Sequence, residues 1–82
     1  MYYVYILECA DGTFYTGSTP NITKRLALHQ SGKAAKYTRG RRPVSLVYQE
    51  LCADKSAALK REIAIQRLSR PAKERLMQIQ TD

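Results

Sequence analysis

The chain has 82 residues, 44% hydrophobic and 26% charged, with a formal net charge of +7. That is the size and composition of one globular domain rather than a disordered chain. It would bury only about 60–65% of the surface it exposes when unfolded, too little to enclose a cofactor chamber.

In chain order, Tyr2 to Glu8 is apolar on both faces and reads as a central strand covered on both sides. Ala10-Asp11-Gly12 is a turn signal, and Thr13 to Gly17 completes a β-hairpin. Thr19 followed by Pro20 predicts an N-cap with proline at the first helical position, and Ile22, Leu26 and Ala27 form that helix's apolar stripe up to Gly32. Lys33 to Pro43 has no hydrophobic period and reads as a basic loop. Val44 to Leu51 is a third strand. Asp54 or Ser56 caps a second helix that runs to about Leu68. Pro71 opens a last short helix carrying Leu76, Met77 and Ile79.

The order β-β-α-β-α-α, with a helical crossover between strands two and three, implies an α+β domain. The three-stranded sheet would have the order 2-1-3 and be flanked by three helices. No apolar run approaches the roughly 18–20 residues of a membrane span, and the N-terminus MYYVYILECA lacks the basic region of a signal peptide. Cys9 and Cys52 form no CxxC or Cys/His cluster. That excludes a disulfide scaffold and a structural zinc site, and it places the protein in the reducing cytoplasm.

The charge is unevenly placed. No acidic residue occurs from Gly12 to Gln49, while Lys24, Arg25, Lys33, Lys36, Arg39, Arg41 and Arg42 all fall there, and the remainder of the chain balances. Such asymmetry suits a nucleic-acid partner, with a merely solubilising surface as the plain alternative. An anionic membrane fits less well, because the segment has no amphipathic helix with large apolar anchors.

The hairpin admits two registers. A two-residue Asp-Gly loop puts Tyr5 and Tyr15 on opposite faces. A three-residue loop with Gly12 left-handed puts Tyr5 opposite Gly17 and both tyrosines on one face, where simple packing is the plain explanation for them. Arg25 and His29, four apart, share one helix face, although a lone histidine is most often a surface one. Glu62 falls on the helical wheel between Ala58 and Leu59, flanked by Ile63 and Ile65, where a carboxylate needs a cation, donors or a solvent-reaching rim. Two tyrosines, an arginine, a histidine and a glutamate beside a basic segment can together cleave a phosphodiester.

Val4-Tyr5-Ile6 and Tyr15-Thr16-Gly17 resemble the two half-motifs of the GIY-YIG nuclease superfamily, most closely its small stand-alone bacterial branch, and the resemblance covers nearly the whole chain. The family arginine falls ten residues past the second tyrosine, on Arg25. Its His or Tyr one helical turn later falls on His29, and its metal-binding glutamate on Glu62. Val4 stands where the family has glycine, Thr16 where it has isoleucine and Ser18 where some relatives have lysine. No asparagine follows Asn21, although many active members carry one beyond the glutamate.

The resemblance implies a metal-dependent endonuclease for DNA, more than RNA, with a structure-selective role in repair or recombination. The alternative is a non-catalytic nucleic-acid-binding module or a subunit that takes its specificity from a protein partner. Tyr5, assisted by His29, would accept a proton from water, and Tyr15 would orient water or phosphate. Arg25 would stabilise the scissile phosphate, and Glu62 would hold one Mg²⁺ or Mn²⁺. Arg25 and the metal would favour the phenolate of Tyr5. Gly17, Ser18, Lys33, Lys36, Arg39, Arg41 and Arg42 would contact substrate. These expectations require Tyr5, Tyr15, Arg25, His29 and Glu62 to converge on one face.

Overall fold

The computed structural model describes residues 1–81, with side chains as far as Gln78. The chain runs β1 (Tyr2–Cys9), β2 (Phe14–Thr19), α1 (Ile22–Gln30), α2 (Lys36–Arg39), β3 (Val44–Cys52), α3 (Lys55–Gln66) and α4 (Arg70–Thr81). Strand β1 pairs antiparallel with both neighbours in the order β2-β1-β3, the α+β topology expected.

The hairpin forms the three-residue loop. Gly12 has φ +83°, its N–H donates to the Cys9 carbonyl at 2.9 Å, and the Cys9 N–H donates to the Thr13 carbonyl at 2.8 Å. Tyr5 consequently lies opposite Gly17 and Leu7 opposite Tyr15. Asp11 stabilises the turn by accepting from Thr13 N–H and Oγ1 at 3.1 and 2.6 Å.

Alternate residues of β1 feed two cores, because strand side chains alternate between faces. Val4 and Ile6 pack with Tyr48, Ala58 and Ile65, closed by Leu76 and Met77 of α4. Tyr5, Leu7 and Cys9 pack with Val44, and Tyr15, Ile22 and Leu26 cover them. A bulge shifts the β1–β3 register between Ile6 and Leu7, so that adjacent Val47 and Tyr48 both reach the first core.

Four local expectations change. Asn21, rather than Thr19, caps α1: its side chain accepts from Lys24 N–H at 3.0 Å, while Thr19 is held in β2 opposite Tyr3. On α1 itself, Ala27 is exposed and His29 is the buried residue. The basic loop contains the one-turn α2, too short to show a hydrophobic period. Finally, α4 begins at Arg70, with Pro71 inside its first turn. The Ile79 side chain assigned to the last helix's apolar face lies outside the described residues. Among the described residues no helix is long and apolar enough to cross a membrane.

Candidate active site

Gly17 makes room for the centre of the site. A Cβ there would sit 2.6 Å from the Tyr5 hydroxyl and 3.2 Å from the Tyr15 ring. The open space expected beside Gly17 is therefore filled by the phenol of Tyr5, which turns toward α1 and meets His29 Nε2 at 2.9 Å. His29 is 1% exposed, against the expectation of a surface histidine. Its ring stands edge-on to both tyrosines, with centroids 5.8 Å from Tyr5 and 5.2 Å from Tyr15.

The other imidazole nitrogen determines which proton lies where. Nδ1 is 2.9 Å from Thr38 Oγ1, and Thr38 donates its single hydroxyl proton to the Ala35 carbonyl at 3.2 Å. Thr38 must accept from Nδ1–H, which leaves a lone pair on Nε2 for the Tyr5 O–H to donate into. Thr38, fully buried, is the residue that sequence reasoning missed. Its only signal was its place in a segment read as a solvated loop.

Burial outweighs the other influences on the titratable groups. The Tyr5 hydroxyl is pushed up to about 12, first by burial and then by Tyr15 and Glu62, against the pull of Arg25. Arg25 does favour the phenolate, as expected, but by less than burial opposes it. Burial and then the Glu62 charge raise Tyr15, and burial and then Arg25 lower His29, which keeps the imidazole neutral. Arg25 lies with Tyr5, Ile22 and Leu26 where α1 meets the sheet, and its Nε is buried without a hydrogen-bond partner.

The apolar arc read around Glu62 is divided. Ala58 and Ile65 are buried, whereas Leu59 and Ile63 are 43% and 49% exposed, because only one edge of the arc faces the sheet. Glu62 lies half-buried at that boundary. Its Oε2 accepts from Gln66 Nε2 at 3.2 Å, and the same amide reaches the Thr16 carbonyl at 3.5 Å, tying α3 to the free edge of β2. No ion pair joins Glu62 to Arg25 or another described residue. Gln66, a neutral donor one turn past Glu62, is the second residue the sequence reading passed over.

The basic segment separates into two groups. Arg41 Nε donates to Asp11 Oδ2 at 2.9 Å, and its guanidinium lies 4.2 Å over the Tyr37 ring, which in turn packs on Tyr15. Arg42 donates to the Arg39 and Gln30 carbonyls at 2.8 and 3.2 Å. These two arginines brace the loop that presents Thr38. Lys33, Lys36 and Arg39 are exposed, with no ion pair to a described residue. Ser18 lies away from them, in a cleft with Lys24, Arg25 and Lys55.

The sequence profile of the GIY-YIG catalytic domain matches residues 1–75. A UPF0213 protein of Natronomonas pharaonis is 55% identical over 80 residues, covering 98% of this chain and 94% of its own. One from Staphylococcus haemolyticus is 49% identical over 77 residues, covering 94% of each. The solution NMR structure of a UPF0213 protein from Bacillus halodurans superposes with a TM-score of 0.61 at 48% identity, covering 96% of this chain and 85% of that one. A protein from E. faecalis superposes with a TM-score of 0.64 at 40% identity, covering 95% and 83%. The chain belongs to the GIY-YIG family, within its small UPF0213 group.

Proposed function

We propose that this protein is a metal-dependent endonuclease that hydrolyses phosphodiester bonds of DNA. The observation that carries the reading is the buried chain from Tyr5 through His29 to Thr38, placed beside Arg25 and within electrostatic reach of Glu62. Family membership supports the activity class and a nucleic-acid substrate. The free thiols of Cys9 and Cys52 suit a reducing, cytoplasmic setting. A protein partner would supply any preference among DNA structures.

A phenol held near 12 is not ionised at neutral pH, so Tyr5 acts as a relay. As water attacks phosphorus, the Tyr5 oxygen accepts the water proton while its own proton passes to His29 Nε2. Tyr5 stays neutral throughout, and the positive charge comes to rest on His29, whose Nδ1–H remains anchored on Thr38. Tyr15, edge-on to His29, walls the path and orients the attacking water. Arg25, with a donor that lacks an acceptor, offers its charge to the phosphate as negative charge builds.

The residues fit a single hard divalent cation. Glu62 is a half-buried carboxylate that, among the described residues, accepts from a neutral amide, that of Gln66. No group of three metal-binding side chains exists among the described residues. Mg²⁺ or Mn²⁺ is commonly held in this way, by one or two carboxylates with water and substrate phosphate completing the shell. Glu62 would hold the ion, which supplies charge neutralisation at the leaving 3′ oxygen.

The test is incubation of purified protein with labelled branched, single-stranded and duplex DNA in Mg²⁺, Mn²⁺ or EDTA, beside Glu62→Ala. Cleavage that needs the metal and disappears in the variant, with an unchanged melting temperature, is expected. Binding without metal-dependent cleavage of any of these DNAs would instead make the chain a non-catalytic nucleic-acid module.

A further inference from the structure

Most cations of the basic segment lie on the loop after α1, but Lys24 and Arg25 on α1 face a different region. Between α1, the end of β2 and the start of α3 lies a cleft of about 470 Å³. Lys24 and Arg25 enter it from α1 and Lys55 from the start of α3, with the Ser18 hydroxyl between them and Tyr2 and Leu28 also in its lining. Among the described residues no carboxylate lines this cleft. Asp54, adjacent to Lys55, accepts from Ala57 N–H as the cap of α3.

Three of the other arginines are held by carboxylates. Arg41 is paired with Asp11, Arg61 with Glu50 and Arg70 with Glu74. Three like charges brought together from two helices, without an anion, oppose one another unless a ligand arrives. Arg25 belongs both to this cleft and to the residues around Tyr5, so one side chain links the cleft to the candidate active site.

We propose that this cleft is a subsite for the phosphodiester next to the one being cut, gripped by Lys24 and Lys55 and continuous with Arg25. The inference rests on the nuclease reading above and names where that substrate's strand runs. The volume is in the range of small-ligand sites and suits about one nucleotide. The apolar sides of Tyr2 and Leu28 offer surface to its sugar or base, while the lysines and Ser18 meet the phosphate. Such contacts hold a strand in place and carry no sequence information. Lysines, as flexible point charges, suit that purpose.

The experiment measures binding of a short single-stranded oligodeoxynucleotide in EDTA across a salt series. It compares the wild-type protein with Lys24→Gln/Lys55→Gln, with Lys24→Arg/Lys55→Arg, and with Lys60→Gln/Lys73→Gln, which removes the same charge outside the cleft. The cleft double variant should flatten the log–log salt slope by about 1.4, since each engaged cation contributes about 0.7 on single strands. The same slope corresponds to about 20-fold weaker binding near 0.1 M salt. The arginine pair should restore binding, and the distant pair should change it little.

An unchanged slope in the cleft variant, an equal loss in the distant pair, or no binding by the wild-type protein overturns the subsite. Metal- and Glu62-dependent cleavage with an unchanged slope overturns the subsite and leaves the nuclease reading standing. A flattened slope in a protein that cuts none of the DNAs upholds the subsite and overturns the nuclease reading.

Discussion

The two faces of the sheet are built from one strand but obey different rules. Under α3 and α4, Val4, Ile6, Ala58 and Ile65 form a core that is apolar but for the Tyr48 hydroxyl, which donates to Glu50 at 2.6 Å. Under α1, the same alternation brings in Tyr5, and with it come His29 and Thr38, both essentially inaccessible. A buried polar group is costly unless bonded, so this face is acceptable only because each atom in the Tyr5–His29–Thr38–Ala35 chain has its partner. The contrast teaches that the face under α3 and α4 is held by packed volume, whereas the face under α1 is held by a chain of hydrogen bonds.

The sharpest way to break the contrast is to damage each face and ask which property fails. Ile65→Ala, which opens a cavity in a fully buried position, should cost about 2–5 kcal/mol of folding stability in denaturant titrations. Its turnover per folded molecule should stay close to the wild type's. Arg25→Ala should do the reverse, lowering turnover at least about 10²-fold, the scale of losing one transition-state charge contact, with little effect on the melting temperature. If Ile65→Ala proves inactive while fully folded, or if Arg25→Ala unfolds the chain, the division of labour between the faces is wrong.

Thr38→Val keeps the shape and removes the acceptor for Nδ1–H. Turnover should fall on the order of tenfold, the equivalent of one hydrogen bond of about 1.4 kcal/mol, and Thr38→Ser should restore it. Nitrogen chemical shifts of His29 should report Nδ1–H in the wild type and a mixture of tautomers in the valine variant. A pure Nδ1–H signal in both would remove Thr38 from the proton path.

The smallest effect is the pH dependence. His29 must be neutral to accept the Tyr5 proton, and burial followed by the Arg25 charge lowers its folded pKa below the ordinary 6.5. The acid limb of the rate profile should therefore fall at a pH below 6.5. The same shift makes the unfolded chain bind more protons in that range, so stability is retained above 6.5 and declines as pH falls from 6.5 through the folded value. His29→Gln should remove both effects, which urea titrations at stepped pH would show.

Local pattern by itself determined the strand order, the hairpin's turn residues and the positions of the three large helices. Periodicity of two and three-and-a-half residues, glycine at a positive φ and capping side chains all act over a few neighbours. Tyr5, Tyr15, Arg25, His29 and Glu62 were singled out by the family resemblance, and of these the fold brings Tyr5, Tyr15 and His29 into contact. Tertiary structure alone decided the rest. Thr38 reaches His29 because α2 folds back on α1, and no short-range pattern encodes that contact. Arg41 and Arg42 look like free cations in the chain but are used by Asp11, Tyr37 and two carbonyls in the fold. Lys24 lies in the basic segment and Lys55 thirty-one residues away outside it, and only the fold places both on one cleft. Charge and polarity are properties of residues, but whether a group is paired, buried or available depends on contacts between segments far apart in the chain.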